Sequence, residues 1–461
     1  MSIKPKLLTL AVASAVLGGL GSTGYAQAQQ VVNSEGTGQV LLFPFYNLEN
    51  NSNTFMHISN NTGENKAIKV RFMEHKNSQV VLEFNAYLGP YDVFPVALDA
   101  TNVSGASVLT TDETCTVPEL GTANPPYDGT QTELADGSTL RSQPFVPYLY
   151  DTDAESTIVR TLLGHAEVIE MGVVSGDIDV SKCSELRTSW SSGSWASNSA
   201  TGVTSPTGGL SGSSFFINPS LAYSMSIDVT AIDGWAKSGV NYHAGPGVNG
   251  PLLSSGTTKA TVNGTTFDYT AQTNGSILAM SALLASTSVM NEVQIESGLA
   301  AETDWVVTFP TKKYLTNGTT ACAPFTKVYD STVVDNVACE TLTLSQFDRE
   351  SESSTGSGSF VPASSSSGVA GNLCDSVSVL SFASAGSALL VNDTTSVGFP
   401  FQNGAARLVA DQKLPADDNG LVVNGLPVLG FAGTRIVNGP MSYGYTSKNV
   451  THASHTVTSG G

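Results

Sequence analysis

Charged residues are scarce in this chain. They make up 13% of its 461 residues, about half of what soluble globular domains usually carry. Basic residues are the scarcest, with 20 Lys and Arg against 39 Asp and Glu and a formal net charge of −19. Because nucleic-acid binding needs clustered Lys and Arg to neutralise phosphates, this balance argues against nucleic acid as a partner. The hydrophobic share of 40% excludes wholesale disorder.

Motifs of catalysis are missing as well. The sequence has no GxSxG nucleophile elbow, and no phosphate- or dinucleotide-binding glycine motif follows a strand pattern. His452 and His455 form an HxxH pair, but in a Ser/Thr-rich tail without a nearby acidic ligand. We therefore expect a protein that is not an enzyme and has no cofactor. Acidic segments such as Asp417-Asp418-Asn419-Gly420 leave a surface calcium ion open, although none completes a twelve-residue calcium loop.

The N-terminus has the pattern of an export signal. Lys4 and Lys6 precede an apolar run over residues 7–20, and Ala26-Gln27-Ala28 is a small-x-small cleavage site. The run is shorter than the ~20 apolar residues of a membrane span. We interpret residues 1–28 as a signal peptide and expect no membrane span in the mature chain. The protein is predicted to be exported, to the cell surface, the outer membrane or the extracellular space.

Five cysteines follow the predicted signal. In an oxidising compartment cysteines usually form disulfides rather than metal sites. Cys115 and Cys183 flank one segment rich in strand signals, and Cys339 and Cys374 flank a Ser/Gly-rich stretch over residues 351–371. These two pairs are the predicted bridges, with Cys322 left over. A bridge that uses Cys322 in place of Cys339 or Cys374 stays open, since spacing does not fix connectivity.

Hydrophobic alternation with a period of two indicates β-strands. Ile68, Val70 and Phe72 alternate with two basic residues, and a second run over residues 80–88 has the same period. Eight Asn-Gly pairs in the second half favour tight hairpin turns. One buried and one solvated face per strand is typical of antiparallel sandwiches. We predict an all-β fold of two antiparallel β-sandwich (Ig-like) modules with long Ser/Gly-rich loops and one short helix.

The order of sequence features repeats once and suggests domain boundaries. Residues 29–235 are assigned to a first module, with loop insertions at 100–145 and 186–214. Residues 236–300 form a connector with hairpins and the helix, predicted from an Ala/Leu/Ser run between Ser276 and Met290. Residues 301–461 form the second module.

Two tryptophans stand out in a Ser/Gly-rich segment. Trp190 and Trp195 lie between residues 189 and 214, where low complexity predicts a mobile surface loop. They are candidates for a ligand-contact loop. The alternative is that both aromatics fold back onto the domain, which is common for loop aromatics.

One set of segments is LLFPFY (41–46), KVRFME (69–74), YLGPYDV (87–93), residues 164–172, TDWVVTFPTK (303–312), FDRE (347–350) and FQNG (401–404). Together these segments resemble a family of exported bacterial proteins usually labelled hypothetical or cell-surface proteins. Ala405 departs from the aromatic that family members tend to have after Asn-Gly. The resemblance implies export and a surface address, and no chemistry.

Together these features predict a structural or adhesive protein of the cell surface or extracellular matrix. A Ser/Thr/Asn/Gly-rich surface that is poor in charge can hydrogen-bond with glycans or with other envelope or matrix proteins. One alternative is a subunit that polymerises by β-strand addition, and oligomers are possible. Another is a secreted hydrolase of polysaccharide or peptide, with a site assembled from distant loops.

Overall fold

A computed structural model describes residues 29–100, 105–123, 128–147, 157–317, 319–329, 338–350, 353–354, 361–362, 371–383, 386–439 and 441–457. The predicted signal peptide 1–28 and most of the Ser/Gly-rich stretch 351–371 lie outside the described residues.

The described residues of the first half form sixteen strands. They are β1 (Val31–Val32), β2 (Thr37–Gly38), β3 (Val40–Asn47), β4 (Asn53–Asn60), β5 (Asn65–Glu74), β6 (Val80–Leu88), β7 (Val93–Ala100), β8 (Ala106–Thr110), β9 (Cys115–Val117), β10 (Thr130–Glu133), β11 (Thr139–Pro144), β12 (Leu163–Val174), β13 (Val203–Thr204), β14 (Leu210–Asn218), β15 (Tyr223–Ile227) and β16 (Thr230–Asp233).

The second half continues with further short strands. They are β17 (Lys259–Val262), β18 (Thr265–Asp268), β19 (Ala285–Ser286), β20 (Ser288–Gln294), β21 (Ala301–Thr308), β22 (Glu340–Thr341), β23 (Thr343–Asp348), β24 (Ser353–Ser354), β25 (Val361–Pro362), β26 (Asn372–Leu373), β27 (Val377–Ser381), β28 (Thr395–Ser396), β29 (Asn403–Val409), β30 (Leu421–Asn424), β31 (Leu426–Pro427), β32 (Leu429–Asn438), β33 (Met441–Lys448), β34 (Val450–Thr451) and β35 (Ser454–Val457).

Helices are few and short. The α-helices are α1 (Cys183–Ser191), α2 (Ser194–Ser197), α3 (Gly275–Leu284) and α4 (Lys312–Thr316). Single 3₁₀ turns occur at Glu49–Asn51, Ile158–Leu162, Pro219–Leu221, Leu253–Ser255 and Ser297–Leu299. The prediction of one helix was therefore too low.

Four larger sheets organise the strands. Sheet 1 has the order β1-β16-β3-β12-β5-β6-β9 with β13 beside β12, and sheet 2 has the order β10-β11-β8-β7-β4-β14-β15 with β2 beside β14. Sheet 3 is β24-β23-β29-β20-β34, and sheet 4 is β25-β28-β27-β21-β32-β33. Among the paired strands described, only β27 and β28 run parallel. The predicted mostly antiparallel all-β class is confirmed.

The immunoglobulin-like part of the prediction is not confirmed. Sheets 1 and 2 have eight strands each, whereas an immunoglobulin-like domain distributes about seven to nine strands over both of its sheets.

Sheets 1 and 2 share one hydrophobic core. Val70, Phe72 and Phe84 of sheet 1 meet Phe94 and Val96 of sheet 2, and all five are at most 3% exposed. The row of apolar residues read from the sequence thus points inward, as the period of two predicts.

Sheets 3 and 4 share a second core, which extends beneath α3. Trp305 of β21 and Leu408 of β29 belong to the same buried cluster as Leu278 of the helix. All ten residues of α3 are buried, and a helix that is apolar on every side is typical of a protein interior. No helix in the part of the chain that the structure describes is long and apolar enough to span a membrane.

The two halves pack directly against each other. Phe45 of β3 and Met225 of β15 belong to one buried cluster with Val306 of β21 and Phe431 of β32. The Phe45 and Phe431 rings meet edge to face, with centroids 5.8 Å apart. The two halves are therefore joined by a buried hydrophobic core and not by a flexible linker.

The segment 100–145, predicted as a loop insertion, instead supplies sheet strands. It contains β8, β9 and the β10–β11 hairpin, which extend sheets 1 and 2. The hairpin turns at Asp136-Gly137, where Gly137 has φ +86° and the Asp136 carboxylate accepts the Ser138 N–H at 3.0 Å. Asp-Gly is a hairpin signal. The residues on both sides of it are polar and lack the hydrophobic alternation from which strands are predicted.

The segment 186–214, also predicted as a loop insertion, is ordered as well. It contains most of α1, all of α2 and β13, and the start of β14. Hydroxyl groups here bond locally, as in the Thr188 Oγ1 bond to the Ser184 carbonyl at 2.8 Å. A Ser-rich composition indicated flexibility, but packing of the few large side chains overrides it.

Helix α3 is shorter than the predicted run from Ser276 to Met290. It ends at Leu284, after which Ala285 and Ser286 pair with β31 and the chain enters β20. Thr287 and Val289 are β-branched, which favours strand over helix. Strand β20, assigned to the connector, is therefore an inner strand of sheet 3.

Candidate functional site

The two tryptophans of the predicted ligand-contact loop lie against the body of the protein. Trp195 is 2% exposed and stacks on Tyr87 with ring centroids 5.4 Å apart and an interplanar angle of 9°. Trp190 packs on Trp195 and on His243, and it is half-buried. Helices α1 and α2 thus serve to place both rings over the face of sheet 1 that points away from the first core.

Hydrogen bonds fix this aromatic cluster. The Tyr87 hydroxyl receives the Trp190 indole N–H at 2.7 Å and lies 2.9 Å from His243 Nε2. The Trp195 indole donates to the Thr201 carbonyl at 2.8 Å. Burial lowers the pKa of His243 to about 4, so the imidazole is neutral at ordinary pH. The geometry matches the folded-back alternative for both tryptophans.

The cysteines of the predicted bridges lie side by side. Cys115 on β9 and Cys183 at the start of α1 have Cα atoms 5.0 Å apart and form one disulfide. Cys339 and Cys374 form the second. Cys322 is unbridged and half-buried, and its sulfur accepts a hydrogen bond from Asn274 Nδ2 at 3.4 Å.

Peptide mapping under non-reducing conditions should recover these two bridges in protein isolated from its native compartment. We expect peptides that link Cys115 to Cys183 and Cys339 to Cys374, with Cys322 alkylated without reduction. The physical reason is that each pair already lies within bridging distance. A bridge to Cys322, or five alkylatable thiols in protein from its native compartment, contradicts the assignment.

A buried network of charges occupies the same outer face of sheet 1. Arg71 on β5 donates from Nε to Glu83 on β6 at 2.8 Å and pairs with Glu167 on β12. Lys69 pairs with Glu83 at 2.9 Å. The four side chains are at most 7% exposed.

Segment 243–251 and helix α4 cover this network. The Pro251 carbonyl accepts a hydrogen bond from Arg71 at 3.1 Å, and the Gly245 carbonyl accepts one from Lys69 at 3.3 Å. Burial would lower the pKa of Arg71, but Glu167 and Glu83 outweigh it and raise that pKa. Burial also raises the pKa of Glu167, and the positive charge of Arg71 opposes this rise. These buried charges link sheet 1 to segment 243–251, and Arg71 also lines an open pocket of about 270 Å³ with Lys313 and Tyr314 of α4.

Ser78 and His165 form the closest approach to a nucleophile–base pair. The Ser78 hydroxyl lies 2.8 Å from His165 Nε2, and Ser78 has a left-handed backbone with φ +59° in the turn between β5 and β6. Burial lowers the pKa of His165 to about 4, so the ring is neutral and could accept a proton. Both residues are at most 2% exposed. Sequence reasoning missed this pair because 87 positions separate its members.

The acidic segment at Asp417 uses its carboxylates within the fold. Asp417 accepts the Leu421 N–H at 2.7 Å and the Asp268 N–H at 3.0 Å, while Asp418 accepts the Ala271 N–H at 2.8 Å. Within the described ranges, no three His, Cys, Asp or Glu side chains are grouped so that they could hold a metal ion. The described part of the chain therefore contains no group of side chains arranged to bind the surface calcium ion that the sequence left open.

An open cleft of about 320 Å³ lies where the two halves meet. The end of α3, the start of β20 and the residues before β32 supply an aliphatic wall of Leu283, Leu284, Val289 and Val428. Clefts of this size at the junction of structural units are common ligand sites. It is the candidate binding site of this protein.

Polar groups also line the cleft. Asp228 follows β15 and Lys448 ends β33, and both are exposed. Asn449, which is 7% exposed, accepts a hydrogen bond from Asn291 through Oδ1 at 2.9 Å. Its Nδ2 has no hydrogen-bond acceptor among the described residues. Sequence reasoning singled out none of these residues, since they lie in separate strands without a motif.

Comparisons with known proteins identify no relative: no family model, no curated protein and no solved structure matches this chain.

Proposed function

We propose that this is an exported, non-catalytic protein of the cell surface or extracellular matrix with a structural or adhesive role. In this proposal the chain consists of two sandwich modules, joined by their shared core, that act as one rigid body. Its partners are glycans or other envelope or matrix proteins. The N-terminal signal pattern and the resemblance to cell-surface proteins motivate the location, and the two disulfides are compatible with it.

The observation that supports the role is the exposed edge of sheet 2. Strand β10 ends that sheet, and its four residues Thr130–Glu133 are all exposed. An edge strand presents backbone donors and acceptors to a partner, and Thr and Gln side chains add hydrogen-bonding groups. The arginine–glutamate and lysine–glutamate groups that could do acid–base chemistry are instead buried inside the fold.

Replacing Thr130 and Thr132 together with Lys should weaken attachment to surfaces or matrix while leaving the melting temperature unchanged. Charged residues on an edge strand hinder pairing with other chains, and exposed substitutions alter stability by only about 0.5 kcal/mol. The measurement is a paired attachment assay and thermal melt. Thr343→Lys, an exposed site on β23, is the matched control.

Cell fractionation provides the second arm of this test. Protein found in the medium, outer membrane or matrix agrees with the proposal, whereas protein confined to the cytoplasm contradicts it. If the double variant Thr130→Lys, Thr132→Lys attaches as well as the unmodified protein, β10 is not part of the adhesive surface.

The hydrolase alternative has one observation in its favour, the 2.8 Å contact between Ser78 and His165. A reactive serine would be labelled by a fluorophosphonate probe, and Ser78→Ala would abolish the labelling. Because Ser78 is 1% exposed, we expect no labelling of the folded protein.

The strand-addition alternative needs a donor segment. The Thr/Ser/Val-rich tail suits the role by composition, but residues up to 457 already pair within the chain, with β34 on β20 and β35 on β30. Strand β35 forms only a two-stranded ribbon, and its Val457 is 69% exposed. Among the described strands, β10 has a neighbour on one side only, so its outer edge could accept a donor strand, and the tail would have to leave its own ribbon to supply it.

A further inference from the structure

The cleft between the two halves combines three kinds of surface. Leu283, Leu284 and Val289 form an aliphatic wall, Asp228 supplies a carboxylate, and Lys448 supplies an ammonium group. Neither charged side chain has an ion-pair or hydrogen-bond partner among the described residues. Two opposite charges that line one cleft while pairing with nothing else are available to a ligand.

The buried amide of Asn449 adds an independent observation. Its Oδ1 is held by Asn291, so Nδ2 is the group left to donate, and within the described structure it has no acceptor. A buried donor without an acceptor is unfavourable, because it has lost its hydrogen bonds to water. An anionic oxygen in the cleft would satisfy it and would at the same time lie beside the neighbouring Lys448.

The end of α3 favours the opposite charge. Leu283, Leu284 and Ala285 line the cleft at the C-terminus of this ten-residue helix. The C-terminal end of a helix carries partial negative charge and stabilises cations. Asp228 has the same preference, so the cleft also contains groups that attract an ammonium group.

We infer that the cleft binds a small zwitterion with an aliphatic body, such as a free aliphatic amino acid or a dipeptide of such residues. Lys448 and Asn449 receive the carboxylate, Asp228 receives the ammonium group, and the wall of Leu283, Leu284 and Val289 takes the side chain. This inference is independent of the surface role proposed above, since it depends only on the cleft.

Isothermal titration of the mature protein with L-leucine and with leucyl-leucine tests the inference. We expect saturable binding of at least one of them, and at least about tenfold weaker binding of the uncharged analogue N-acetyl-leucine amide, which corresponds to about 1.4 kcal/mol. Asp228→Asn and Lys448→Met should each weaken binding about threefold or more, while Lys237→Met, at an exposed site outside the cleft, should not.

A blocking variant separates the cleft from other surfaces. Ala453→Trp places a large ring at the cleft rim and should abolish the titration signal, with a thermal melt to show that the protein is folded. Equal binding of the uncharged analogue or of N-acetylglucosamine would overturn the ligand class. Unaltered binding by the blocking variant, or absence of binding to leucine and leucyl-leucine at millimolar concentration, would overturn the site.

Discussion

Replacing Arg71 with Met is expected to lower the free energy of unfolding by about 3–5 kcal/mol. Arg71 is 1% exposed and neutralises both Glu83 and Glu167. Its removal leaves two buried carboxylates beneath segment 243–251, and Glu167 loses its direct ion-pair partner while Glu83 keeps Lys69. Denaturant unfolding of the oxidised mature protein measures the effect.

Two further variants test the physical cause. Arg187→Met breaks the pair with Glu119, whose side chains are 32% and 27% exposed, and a pair of this kind should contribute at most about 1 kcal/mol. The double variant Arg71→Met, Glu167→Gln removes one positive and one negative charge, keeps the Lys69–Glu83 pair and should recover much of the loss. If the double variant is as unstable as Arg71→Met alone, packing rather than charge accounts for the effect.

This network also shows how far the sequence could predict the fold. The alternation of Ile68, Val70 and Phe72 correctly located strand β5 and its inward face. The same pattern predicted a solvated face for Lys69 and Arg71, and that prediction was wrong. A strand pattern describes one sheet, whereas burial of its second face depends on a covering segment that is 176 to 180 positions away in the chain.

The candidate cleft escaped sequence reasoning for a similar reason. Asp228 and Lys448 belong to different halves and line one cleft because β15 packs against β33, where Thr446 Oγ1 donates to the Ser226 carbonyl at 2.9 Å. Spacing rules find ligands that are close in sequence, such as those of calcium loops. The flanking positions of Cys115 and Cys183, in contrast, were sufficient to suggest the bridge found between them.

Replacing Trp195 with Ala should lower the free energy of unfolding by about 3–5 kcal/mol, as for other buried large side chains. The ring is enclosed by Tyr87, Trp190 and His243, and its N–H has the Thr201 carbonyl as partner. Trp190→Ala should have a smaller effect, about 1–2 kcal/mol, because that ring is only half-buried. Denaturant unfolding with near-ultraviolet circular dichroism measures both.

Trp195→Phe is the matched control, since it keeps an aromatic ring against Tyr87 and removes only the N–H bond to Thr201. We expect it to lose about 1 kcal/mol. The same variants distinguish a structural from a ligand-contacting role. If the tryptophans hold α1 and α2 on sheet 1, attachment by folded Trp190→Ala protein should be unchanged. If Trp190→Ala loses attachment while its stability is unaltered, Trp190 contacts the ligand. If Trp195→Ala changes the free energy of unfolding by less than about 1 kcal/mol, α2 does not dock where the structure places it.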